Sequence, residues 1–170
     1  MRKTKLVLML LTLIFLTLSA CGEDSEEPML SIKYKDETLH YIEYGNLHNK
    51  TQEDIEKRLK EYMIGRRFED LPTIPLDEDI ILENENFDVE SYEVYDYVLD
   101  QKSNIVSDFD TESYTVEKLE KKKSSFKLLD IIKTGSYDAY KVDDRNIHCL
   151  LIKCKIEKSD FVFAVLLLDH

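Results

Sequence analysis

The chain has 170 residues, of which 23 are basic and 35 acidic, for a formal net charge of −12. Three basic side chains and no acidic ones lie in residues 1–20, so the other 150 positions carry 20 against 35, a net −15. A field of that sign repels phosphate backbones and anionic headgroups, which excludes DNA, RNA or a polybasic membrane patch as the basis of binding and reads as a solubilising surface.

Residues 1–20 begin basic at Arg2, Lys3 and Lys5, run apolar from 6 to 18 with only Thr12 and Thr17 interrupting, and end Leu18-Ser19-Ala20 before Cys21. This is the layout of a secretory signal, with small residues at the cut. A membrane-spanning helix needs about 20 apolar residues, and the run from 6 to 20 is shorter. Leu18-Ser19-Ala20-Cys21 matches the lipobox, so the start of the chain resembles a bacterial lipoprotein precursor. That resemblance implies cleavage before Cys21, a diacylglyceryl thioether with palmitate-type chains on its sulfur, and residence on the extracytoplasmic face of the cell membrane. Two acyl chains hold a protein stably where one holds it only marginally. The competing reading is a soluble secreted protein cut after Ala20. Residues 22–28, Gly-Glu-Asp-Ser-Glu-Glu-Pro, are acidic and lack large apolar side chains, as suits a tether. The expected organisation is a signal peptide at 1–20, a lipidated cysteine and tether at 21–28, and one globular β-rich domain at 29–170, long enough to bury a core without staples.

Residues 29–34 and 38–44 are strand-like runs around Lys35-Asp36-Glu37 and read as a hairpin, with Ile32, Tyr34, Leu39, Tyr41 and Ile42 inward. The spacing predicts one helix over 52–64: Thr51 stands at the N-cap, Asp54 in a capping-box position, and Ile55, Leu59, Tyr62 and Met63 on one stripe. Glu53 with Lys57 and Glu56 with Lys60 have the favourable acid-first order, and Gly65 is placed to end the helix. Two prolines, Pro72 and Pro75, make 71–76 an extended crossing segment. Short runs follow at 79–83, 91–99, 104–109, 124–132, 136–142, 146–157 and 160–168, the spacing of an antiparallel sandwich or barrel. Residues 117–123 suit either a charged helical turn or an edge strand guarded by lysines. Residues 147–152 and 161–168 are apolar at both parities, as inner strands covered on both faces require, and the short link at 158–159 makes them neighbours. The expected fold is mainly β with one amphipathic helix, and the alternative is α+β with a single antiparallel sheet. Strand count, the tether and a Lys- and Ile-rich composition together resemble the small lipoproteins of low-GC Gram-positive bacteria, which implies an antiparallel immunoglobulin-like β-sandwich.

Ten tyrosines and no tryptophan make Tyr the overused aromatic. Tyr92, Tyr95 and Tyr97 lie on one predicted strand and are the candidate ligand contacts, since an exposed ring gives area and its hydroxyl gives direction; the plainer reading is that Tyr suits half-buried strands. Cys149 and Cys154 share a predicted strand, where five residues at about 3.3 Å put them about 16 Å apart, beyond the roughly 7 Å a disulfide spans, so they read as buried free thiols. His148 and Cys149 are adjacent and point to opposite faces, which argues against a shared metal. Asp77-Glu78-Asp79 and Asp108-Phe109-Asp110 offer oxygen ligands without the spacing of a calcium loop. There is no nucleophile elbow, phosphate loop or zinc spacing, and His40, His48, His148 and His170 have no Ser or Cys in a recognisable arrangement. The expectation is a lipid-anchored envelope protein of non-catalytic type, without cofactor or metal, binding an envelope protein, peptide or glycan. Its alternatives are an envelope-acting enzyme whose site is assembled in space, and a cation-binding domain using the acidic loops.

Overall fold

A computed structural model describes residues 29–46, 51–107, 113–129, 135–157 and 159–170. The signal, Cys21, the tether, His48 and Asp108-Phe109-Asp110 lie outside the described residues. β1 (Leu30–Tyr34) and β2 (Glu37–Thr38) form a hairpin that turns at Lys35, whose φ is +53°. The expected second arm at 38–44 instead divides. Leu39 is buried between the sheets, and β3 (Tyr41–Asn46) leaves for the other sheet, where it pairs antiparallel with the last strand. The physical reason lies in the side chains: Tyr41 packs into one core while Ile42 and Tyr44 pack into another. Such a strand needs cover on both faces, which the first sheet does not offer.

The helix α1 (Gln52–Met63) forms where its stripe predicted, with Ile55, Leu59 and Met63 buried. Its capping box is complete: the Asp54 amide donates to Thr51 Oγ1 at 3.3 Å and the Thr51 amide to Asp54 Oδ2 at 2.9 Å. Gly65, at φ +75°, takes the left-handed conformation just past the helix. The Tyr44 hydroxyl donates to the Ile55 carbonyl at 3.0 Å, and the Ile105 amide to Glu56 Oε1 at 3.1 Å, which docks the helix on the sheet beneath.

Beyond the extended 71–76 segment, which contributes β4 (Thr73–Ile74), come β5 (Asp79–Asn84), β6 (Ser91–Leu99), β7 (Glu117–Glu120), β8 (Lys123–Lys127), β9 (Ile147–Ile156) and β10 (Ser159–Asp169). One sheet has the order β2-β1-β5-β8-β7; the other has β3-β10-β9-β6, with β4 parallel to β10. Between them lies a core of Ile32, Ile80, Leu82 and Phe126 from the first sheet against Leu150, Ile152, Phe163 and Val165 from the second. The outer face of the first sheet carries an ion ladder, with Lys33 Nζ 2.5 Å and Lys123 Nζ 3.3 Å from the two Glu83 oxygens. The second sheet is covered again on its far side, where Cys149, Leu151, Ala164 and Leu166 meet the α1 stripe. The fold is therefore mainly β, two antiparallel sheets and one helix among the described residues, stacked sheet, sheet, helix. The single-sheet alternative is excluded.

β9 and β10 are the doubly covered inner strands their composition required. The ambiguous 117–123 run supplies β7, a fully exposed edge strand. Two expectations need correction. Residues 135–140 form a 3-10 turn (Gly135–Tyr140), where a strand was expected at 136–142. Tyr137 and Tyr140 are half-buried and the two residues between them exposed, a spacing of three that a 3-10 turn satisfies and a strand cannot. The run at 104–109 contributes only an isolated bridge, Ile105 to Leu99, within its described part.

Candidate functional site

Alternation along β9 points His148 toward the first sheet, on the same face as Leu150 and Ile152. It is paired across to Val98 on β6 and Leu167 on β10. Its diagonal neighbours on those strands are Asp96 and Asp169, and all three side chains converge. His148 Nδ1 lies 3.0 and 2.9 Å from the two Asp96 oxygens. Nε2 lies 3.4 Å from Asp169 Oδ2. Both His148 and Asp96 are almost completely enclosed, at 1% and 3% exposure.

The neighbours complete the chain of contacts. The Tyr114 amide donates to the Val94 carbonyl at 2.8 Å, which brings the ring alongside β6, and its hydroxyl donates to Asp96 Oδ2 at 2.8 Å. At the other end the Asn146 amide and side-chain amide each donate to Asp169 at 2.6 Å. The Nε2 contact is an ion pair too long and too poorly aimed for a hydrogen bond, and Nε2 is the one buried side-chain nitrogen or oxygen without a hydrogen-bond partner among the described residues.

Burial by itself would lower the His148 pKa; the charge of Asp96, the close contact with Asp169 and the bond to Asp96 outweigh it and raise the value to about 10. Burial likewise works to raise Asp169, but the contacts from His148 and Asn146 hold its carboxyl below the usual range. At neutral pH His148 is an imidazolium held between two acidic side chains. A general base needs a free lone pair within reach of a substrate proton, and here Nδ1 is bonded to Asp96 while Nε2 is enclosed beside Asp169. The neighbouring Cys149 sits on the opposite face, in the helix-side core. What the cluster does is fasten β6, β9 and β10 to the segments carrying Tyr114 and Asn146.

Asp169 also borders a surface cleft of about 570 Å³. Asp143 and Asp144, at φ +49° and +66°, make the two-residue turn beside it that the Val142–Arg145 bridge closes, a conformation that Asp tolerates better than most residues. Its cations are already engaged: Arg145 with Thr73 Oγ1 at 2.9 Å and Asp143 at 3.4 Å, Lys141 with Asp138 at 2.7 Å.

Of the three candidate tyrosines, Tyr92 lies on one face of β6 and Tyr95 and Tyr97 on the other, as strand parity demands, and they do not form a common exposed stripe. Tyr97 is buried, at 4% exposure, in the helix-side core. Tyr92 is half-buried between the sheets, its hydroxyl 3.3 Å from Asn84 Oδ1 and its pKa pushed up by burial. Tyr95 is half-buried on the helix side and donates to Glu93 Oε2 at 2.9 Å. Cys149 and Cys154 are buried free thiols on opposite faces of β9, and burial raises both pKa values. In the acidic run at 77–79, Glu78 pairs with Lys35 at 3.8 Å. Among the described residues no group of three or more His, Cys, Asp or Glu is arranged to hold a metal, and no helix is long and apolar enough to cross a membrane.

Sequence reasoning missed the Asp96, His148 and Asp169 cluster, although a signal was present. Asp96 stands between Val94 and Val98 at inward parity, and His148 interrupts an apolar run; two ionisable groups in core positions must find partners. The chain matches no protein-family model, and no curated protein and no solved structure shows significant similarity to it.

Proposed function

We propose that this chain is a lipid-anchored cell-envelope protein whose folded part is a non-catalytic binding module for an envelope protein, peptide or glycan. One observation carries the choice of binding over chemistry. Among the described residues the buried titratable cluster is closed on itself, with both nitrogens of His148 facing acidic side chains, which leaves the histidine no lone pair turned toward solvent. The anchor rests on Leu18-Ser19-Ala20-Cys21 behind a basic, then apolar, leader. The immunoglobulin-like comparison enters as architecture alone: two packed antiparallel sheets behind a short acidic tether.

The anchor is tested by Cys21→Ser in cells fed a clickable palmitate analogue. The parent protein takes the label and fractionates with membranes, while the variant is unlabelled and leaves the pellet. An unlabelled parent, or a variant retained in unchanged amount and processed form, overturns the anchor. The binding role is tested by cross-linking the anchored protein in intact cells; a reproducible envelope partner supports it, and nothing above background overturns it.

A further inference from the structure

We infer that the cleft at the end of α1 is a binding site for a carboxylate with a small apolar body. The described residues include four arginines, and three are engaged: Arg58 with the Glu43 carbonyl, Arg67 with Asp70 through two bonds of 3.1 and 2.7 Å, and Arg145 with Thr73 and Asp143. The Arg66 guanidinium differs. Its contact is with an aromatic face, 4.5 Å above the Tyr62 ring, and among the described residues it has no side-chain hydrogen bond and no ion pair. Arg66 is exposed, so its guanidinium is open to a partner from solution.

Its position turns that vacancy into a site. Arg66 lines a cleft of about 400 Å³ bounded by the β2 end of the first sheet, the turn after α1 and the segment before β4, within the size range of small-ligand pockets. Leu39, Leu71 and Leu166 supply apolar wall, and Thr38 and His40 add polar groups at the rim. The contact with Tyr62 restrains the Arg66 side chain at the cleft, and a guanidinium is the group that takes a carboxylate through two parallel bonds. Glu37 and Asp70 also line the cleft. They penalise a doubly charged phosphate more than a single carboxylate, and the leucines reward an apolar body. A free short-chain acid and the C-terminal carboxylate of a peptide ending in an apolar residue share this chemistry. The site depends on the binding-module reading for its biological use, though its chemistry can be tested alone.

The test titrates full-length protein in detergent micelles by calorimetry with hexanoate, hexanol, hexyl phosphate, and the tripeptide Gly-Gly-Leu as free acid and as amide. Parent, Arg66→Gln and the distant Lys153→Gln proteins are compared. Hexanoate, the free tripeptide or both bind the parent and Lys153→Gln alike, and which of them binds identifies the source. The alcohol, the amide and the Arg66→Gln protein are each weaker by about tenfold or more, as loss of a charged hydrogen-bonded pair predicts. The inference is overturned if neither carboxylate binds below about 10 mM, if Arg66→Gln binds as the parent does, or if hexyl phosphate binds more tightly in an Arg66-dependent way. Failure here with cross-linked envelope partners intact removes the carboxylate site alone; absence of those partners counts against the module itself.

Discussion

His148 holds its proton because of where it sits, and that has a measurable pH signature. Its folded pKa of about 10 stands above the ordinary value of 6.5, so the native state keeps the proton after an unfolded chain has released it. The stabilisation is complete below about pH 6.5 and is lost as pH rises toward 10, at up to about 1.4 kcal/mol per pH unit. Asp169 works in the opposite sense: its lowered pKa adds stability above the ordinary carboxylate range that disappears on acidification. Denaturant melts at pH 6, 8 and 10 should show falling stability, with the slope much reduced in His148→Leu; a flat parent profile would refute a charged histidine. Asp96→Ala removes one partner and strands a buried cation, a change that typically costs about 3–5 kcal/mol. Urea midpoints of that variant against the parent measure it, and a loss under about 1 kcal/mol would mean the pair is not enclosed as described.

At the level of elements, legibility followed the range of the interactions. α1 was readable because its stripe, capping box and terminal Gly65 all act within a few residues. Thr51→Ala should cost about 1 kcal/mol through the cap, whereas Leu59→Ala, at a fully buried position, should cost about 2–5 kcal/mol through cavity formation. Thermal melts of the two variants should separate clearly; equal shifts would contradict docking of the helix on the second sheet. β3 was misassigned because its partner β10 is far along the chain, and local alternation does not name a partner. The 3-10 turn at Gly135–Tyr140 failed for another reason: six residues are too few for a hydrophobic period to separate a 3-10 turn from a strand.

At the scale of the whole molecule, β9 and β10 are the layer that everything else covers, with the first sheet on one side and α1 on the other. Hydrogen exchange should therefore be slowest in residues 147–152 and 162–168 and fastest in the exposed edge strand β7; comparable protection in β7 would argue against its edge position. By itself the sequence determined the class of the fold, the helix and the doubly buried pair of strands, since each is written in periodicity or contiguous pattern. Only the tertiary structure decided which strands share a sheet, that Tyr97 is buried, that Asp96 finds His148 across 52 positions, and that Arg66 lines a cleft with Leu39, Leu71 and Leu166. Those depend on long-range register, which no local spacing encodes, because partners are chosen by which faces of distant segments can be covered together.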